Sequence, residues 1–154
     1  MKIINGDLIK LGKDNEFDII LHGCNCYNTM GAGIAAQVAQ QFPDARLADD
    51  ETVRGDAGKL GTYTIGMSGR LVILNCYTQY GISSTGNDVF EYNAFERVLN
   101  KIQYRFGKWR IGLPLIGMGL AGGDESRIIP MIESFAHRVE RQGGTVTIVK
   151  WDRK

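Results

Sequence analysis

A chain of 154 residues, 44% of them hydrophobic, has the size of one compact domain with a core of its own. Eighteen basic and seventeen acidic side chains leave a formal net charge of +1, so nucleic acid and anionic membranes are not expected as partners of the whole surface, although a local positive patch stays open. No apolar run approaches the roughly 20 residues that span a bilayer, and the opening MKIINGDLIK lacks the long hydrophobic stretch of a secretory signal, which predicts a cytoplasmic protein.

Strand and helix patterns alternate along the chain. Lys2 to Ile4 and Phe17 to Asn25 read as strands, the second apolar on both faces, as expected where helices cover a sheet. A helix runs from Gly33 to Phe42 with Ile34, Val38 and Phe42 on one stripe, and Pro43 ends it. The polar segment from Asp44 to Gly61 reads as a solvated connection holding one short helix. Thr62 to Met67 and Leu71 to Tyr77 flank Ser68-Gly69-Arg70 as a hairpin, which makes the sheet mixed. Phe95, Val98, Leu99, Ile102 and Phe106 give a helix within Val89 to Phe106, stopped by Gly107. Arg110 to Ile116 is a buried strand, Glu125 to Gln142 an amphipathic helix, and TVTIVKW the last strand. The pattern predicts one three-layer α/β/α domain over residues 1–154 around a mixed, largely parallel sheet.

Cys24, Cys26 and Cys76 cannot all pair with one another, and a domain with its own core needs no disulfide framework. His22, Cys24 and Cys26 alternate along one strand, but ligands one residue apart converge poorly on a tetrahedral ion, so no metal and no cofactor is expected.

In such a sheet the ligand crevice lies beyond the carboxyl ends of the strands. Three small-residue loops belong there: NCYNTMGAGIA, YGISSTGND and IGMGLAGGDE. Glycine allows backbone to approach a ligand, and helix N-termini offer unpaired N–H groups with partial positive charge, so loops of this kind can hold a diphosphate without many lysines. A P-loop motif is absent. GMGLAGG formally satisfies G-x-G-x-x-G, but too little chain follows it for the rest of a dinucleotide-binding half.

Taken together, INGDLI, the strand ending HGCNCYNTMGAGIA, the mid-chain YGISSTG and the late PLIGMGLAGG resemble the macrodomain family of ADP-ribose-binding proteins over essentially the whole chain. Within it the similarity is strongest to the small single-domain ADP-ribose-1''-phosphate phosphatases. The resemblance implies a macrodomain fold and a small-molecule ligand, ADP-ribose or its 1''-phosphate, bound by a monomer. Asp7 would accept from the adenine amino group with the Leu8 N–H beside it, and Trp151 would cover the base; the alternatives are that Asp7 only caps a turn and Trp151 only packs. Asn25 would meet the distal ribose. Gly23, Met30, Gly31, Ala32, Gly33 and Ile34 would wrap that ribose and the nearby phosphate, with Ser83, Ser84, Thr85 and Gly86 closing over them. Gly117, Met118, Gly119, Leu120, Ala121 and Gly122 would cradle the pyrophosphate.

Release of the 1''-phosphate without a metal needs a nucleophile or an activated water. The resemblance places His22 there, with Asn25 and Asp124 assisting. A histidine held in the strand to orient Asn25, and an Asp124 that only caps its helix, are the competing readings. The lysine and aspartate of the lysine-dependent ADP-ribosyl hydrolases of this family have no counterpart, since YTQYG holds no lysine and Ala121 stands at the aspartate position. A metal-independent phosphatase, a non-catalytic ADP-ribose-binding module, and a hydrolase of ADP-ribosylated proteins or nucleic acid remain in view.

Overall fold

Five of the six strands run parallel, and that arrangement decides where the loops gather. The computed structural model describes residues 1–82, 89–118 and 121–151. Its elements follow in the order β1 (Lys2–Gly6), α1 (Leu8–Lys13), β2 (Ile19–Cys24), α2 (Gly33–Gln41), α3 (Pro43–Asp50), β3 (Tyr63–Ser68), β4 (Leu71–Tyr77), α4 (Tyr92–Phe106), β5 (Arg110–Leu113), α5 (Glu125–Arg141) and β6 (Thr145–Trp151). The sheet order is β1-β6-β5-β2-β4-β3, parallel throughout except for the β3–β4 hairpin. This is the mixed, mostly parallel α/β sheet that the alternating pattern predicts.

Successive residues of the central strands feed opposite layers, because side chains alternate across a sheet. Ile19, Leu21, Leu74, Ile111 and Leu113 pack with Phe95, Val98 and Ile102 of α4 and Ile128, Ile132 and Phe135 of α5. Ile20 and Ile73 face the other way, against Leu8 and Ile9 of α1, Val38 of α2, and Phe42 and Ala45 beside and within α3. Burying a side chain of this size is worth roughly 1.5–3 kcal/mol.

Three local differences from the sequence reading have physical causes. Helix α1 is only six residues long, too short to show a period, and it forms because the Asp7 carboxylate caps it, Oδ1 accepting from the N–H groups of Ile9 (3.0 Å) and Lys10 (3.2 Å). Pro43 does more than end α2: it occupies the first turn of α3, where its missing N–H costs nothing. The segment after it is not a solvated connection, since Asp49 (1% exposed) and Lys59 (7% exposed) are buried in a polar network described below.

Helix α3 lies against β3 through a missing side chain. A Cβ placed on Gly66 would fall 2.9 Å from the Ala45 Cβ and closer still to the Ala45 backbone, which cannot swing aside as a flexible side chain would. Gly66→Ala is therefore expected to lower the unfolding free energy by about 1–3 kcal/mol, the usual cost of overpacking. Urea unfolding should show this as a lower midpoint at an unchanged m-value.

Candidate functional site

The parallel strands bring Asp7, α2 and the β5–α5 loop to one rim. A cleft of about 490 Å³ opens there, within the range of small-molecule sites. Its walls are Gly6, Asp7 and Leu8 after β1; Gly33, Ile34 and Gln37 of α2; Pro114, Leu115 and Met118 after β5; and Val149, Lys150 and Trp151 of β6. The cleft thus brings together Asp7, Leu8, Gly33, Ile34, Met118 and Trp151 from the expected site residues. Gly6, Gln37, Pro114, Leu115, Val149 and Lys150 are additions. Gln37 was within reach of sequence reasoning, because it stands one turn after Gly33 on the same helix face.

Two of the walls, Asp7 and the start of α2, keep polar groups that folding leaves available. Asp7 spends Oδ1 on its cap, and no hydrogen bond to Oδ2 occurs among the described residues. Helix α2 starts after the extended Ala32 with no side-chain cap, so its first N–H groups and the positive end of its dipole face the rim. Space around Gly31 and Gly33 is open: a Cβ at either would meet nothing within 4 Å. In the third loop the Gly123 N–H donates to the Gly117 carbonyl (2.7 Å). Gly117 has φ +83° and its missing Cβ would strike the Phe90 ring, so no other residue fits that corner. Ala121 is nearly buried, and its carbonyl accepts from the N–H groups of Val89 and Phe90. Gly122 has φ +74°.

Other expected site residues stand away from the cleft walls. Asn25 uses its amide to shape the first loop: Nδ2 donates to the Thr29 carbonyl (3.1 Å) and hydroxyl (2.8 Å), and Oδ1 accepts from the Tyr27 N–H (2.8 Å). Met30 is buried beneath that loop in the α1–α3 layer, while Ala32 ends it. Gly23 sits within β2, where a Cβ would press on Thr78 and Ile116. Asp124 caps α5 by accepting at Oδ1 from the Ser126 N–H (2.9 Å) and hydroxyl (2.8 Å), and these bonds hold its carboxyl below the usual range. Ser83, Ser84, Thr85, Gly86, Gly119 and Leu120 lie outside the described residues.

His22, expected at the reacting centre, is 1% exposed and points into the layer beneath α3. Its Nε2 lies 2.6 Å from the Asn75 Oδ1, and Asn75 in turn donates from Nδ2 to the Ala45 carbonyl (2.9 Å) and the Thr64 hydroxyl (3.0 Å). Those two donations fix the amide orientation, so Nε2–H is the donor and Nδ1 stays unprotonated. The ring makes no bond to Asn25, which removes the orienting role as well. Burial, only partly offset by Asn75, lowers the His22 pKa from 6.5 to about 4. Burial also pushes the Cys24 and Cys76 thiols up, Cys76 to about 12, so neither offers a thiolate at neutral pH. Cys76 pairs in register with Gly23 and therefore faces away from His22. Among the described residues no group of three or more His, Cys, Asp or Glu side chains is arranged to hold a metal ion.

The first loop is anchored from below by residues with no sequence signal. Lys59 Nζ donates to the Asn28 Oδ1 (2.7 Å) and the Thr52 hydroxyl (2.9 Å), and Asn28 donates from Nδ2 to the Thr52 carbonyl (2.7 Å). The Tyr77 hydroxyl donates to the Asp49 Oδ1 (2.8 Å) close by. Burial raises the Asp49 carboxyl despite that bond and the Lys59 charge.

A neutral buried imidazole makes stability depend on pH with a definite sign. The folded pKa near 4 lies below the unfolded value near 6.5, so between these the unfolded chain binds the extra proton and stability falls as pH falls. Wild type is expected to lose on the order of 3 kcal/mol more than His22→Gln as pH drops from about 6.5 to 4. Denaturant unfolding of both proteins across that range checks this, and a pH-independent difference between them would refute it.

The chain matches no protein-family model. It is 31% identical over 162 residues to an uncharacterized 17.5 kDa protein of Enterobacteria phage T4, covering 99% of this chain and 97% of that one. The macrodomain of Mycobacterium tuberculosis DarG superposes with a TM-score of 0.70 at 18% identity, covering both chains in full. Thermosipho africanus DarTG, solved in complex with ADP-ribose, superposes at 0.75 with 18% identity over 97% of this chain and 42% of that one. No helix of the described residues is long and apolar enough to cross a membrane. The chain belongs to one family with the phage T4 protein, and its fold is that of the macrodomains.

Proposed function

We propose that the rim cleft binds ADP-ribose and ADP-ribose carrying a 1''-phosphate. The observation that carries this reading is the meeting of Asp7, the uncapped start of α2 and Trp151 around one cleft of about 490 Å³. A carboxylate oxygen complements the exocyclic amine of adenine, an exposed indole offers a stacking face, and helix N–H groups suit a diphosphate. Such a site takes its anion affinity from backbone dipoles, which agrees with a net charge near zero. The solved complex of DarTG with ADP-ribose, on the same fold, supports the choice of ligand.

Hydrolysis of the 1''-phosphate is the second reading. Asp124 favours it: the carboxylate does not line the cleft but follows the loop whose Met118 does, it stays ionised, and no described hydrogen bond occupies its Oδ2. In this scheme Asp124 accepts a proton from water as the oxygen attacks phosphorus, the P–O bond to the sugar breaks with its electron pair going to the sugar oxygen, that oxygen takes a proton from solvent, and backbone N–H groups of the rim stabilise the phosphoryl charge. His22 takes no part. The site would then act without metal, as a monomer and on a soluble ligand.

Calorimetry with ADP-ribose tests the first reading through Asp7→Asn, which keeps the helix cap but puts an amide N–H₂ where the outward oxygen stood. Affinity should fall about tenfold or more, in line with the loss of a charge-assisted bond, at an unchanged melting temperature. Equal affinity in the variant would remove Asp7 from adenine recognition. Phosphate release from ADP-ribose-1''-phosphate in the presence of chelator tests the second. Release that is lost in Asp124→Asn while binding persists supports hydrolysis, and no release from wild type leaves the binding module.

A further inference from the structure

A total charge near zero hides a segregation. Residues 97–110, RVLNKIQYRFGKWR, hold five basic side chains and no acidic one, so the remainder of the chain is net acidic. At 3.6 residues per turn, Arg97, Lys101, Tyr104, Arg105 and Lys108 fall within one stripe roughly 100° wide along α4 and its continuation through Gly107. All five are exposed, Tyr104 by 90%, and Trp109 just beyond is 51% exposed. The opposite face of α4 supplies Phe95, Val98, Leu99 and Ile102 to the core, so the helix is held in place without help from the stripe.

Neighbouring contacts orient these cations and leave their charge uncompensated. Arg97 donates to the Leu60 carbonyl (3.2 Å), and Arg105 donates to the Tyr63 hydroxyl (3.4 Å) while stacking on Phe106. Among the described residues no carboxylate forms an ion pair with Arg97, Lys101, Arg105 or Lys108. Arg110 differs, because Asp18 neutralises it. On the α5 flank Arg138 donates to Asn100 and Gln103 of α4, adding another positive charge to this side.

We infer that this face of α4 binds single-stranded nucleic acid, the cations following the phosphates and Tyr104 and Trp109 stacking on bases. The charge calls for a polyanion. Two ring faces open to solvent select one with unstacked bases, since a duplex hides its base faces and an acidic polypeptide has none. The stripe lies apart from the cleft, because it runs down α4 away from the rim.

Fluorescence anisotropy with a labelled oligothymidylate of about 20 nucleotides tests it, with a duplex of equal length and poly-glutamate as competitors. Affinity should fall with salt with a log–log slope of about −2 to −3, as expected when three or four phosphates are neutralised on a single strand. Lys101→Glu/Lys108→Glu should weaken binding more than tenfold and flatten that slope. Tyr104→Ala should weaken it roughly fivefold or more with the slope unchanged, because stacking carries no counterion release. Thermal melts check that the variants, all at exposed positions, remain folded. No binding at about 50 mM salt, better competition by the duplex or poly-glutamate than by unlabelled single strand, or variants that bind like wild type would overturn the inference.

Discussion

Parallel pairing of β1, β6, β5, β2 and β4 is the constraint on which the rest of this molecule depends. Parallel strands cannot be joined by tight turns, so the chain must cross back over the sheet, and every strand then ends at the same rim. At that rim the backbone has left one ladder and not yet entered the next helix. Unpaired N–H groups collect there as a matter of topology, before any side chain is chosen. What the sequence adds is access: no Cβ at Gly31 and Gly33, a positive-φ corner at Gly117, and a cap on α1 that uses one oxygen of Asp7 and leaves the other.

A rim of loops is only useful if the loops hold still, and the buried polar layer beneath α3 answers that requirement. His22 donates to Asn75, Asn75 to Thr64, and the Thr64 hydroxyl lies 3.0 Å from that of Tyr77, which donates to Asp49. Lys59 fixes Asn28 and Thr52 alongside. Each of these groups would cost free energy if buried alone, and each bond is worth about 1 kcal/mol net. The chief effect is positional: Asn28 sits at φ +57° in the first loop, a conformation an asparagine tolerates when its side chain is bonded. A loop fixed before its ligand arrives pays less ordering entropy on binding.

The fold was largely legible because amphipathic periods and buried strands are local signals. The α4 and α5 stripes, the β3–β4 hairpin and the α2 start at Gly33 can all be read from spacing. Faces were not legible. Alternation places His22 with Ile20 and against Leu21, but a strand apolar on both sides carries no mark of which side meets α1–α3. Hence the imidazole could be assigned to the rim although it points beneath α3. Lys59 was invisible for a related reason: its three partners come from the first loop, the turn after α3 and β4, and a lysine in a polar segment looks solvated until those elements meet around it.

With His22 buried beneath α3, the kind of chemistry open to the cleft changes. Phosphoryl transfer asks little of a nucleophile but much of positioning and charge stabilisation, which on the proposed reading would fall to backbone amides of the rim. With Asp7 given to adenine in the proposed binding mode, the carboxylate left for proton transfer next to the third loop is Asp124. Its bonds to Ser126 keep it ionised but also make it a poor proton acceptor, because Brønsted behaviour rewards a pKa near the working pH. Binding and turnover therefore draw on different parts of the same structure. On the proposed reading the grip on a diphosphate would come from the sheet topology, whereas rate would hang on a carboxylate already committed to holding a helix. A site that worked in this way would favour retention of a bound diphosphate over its rapid conversion.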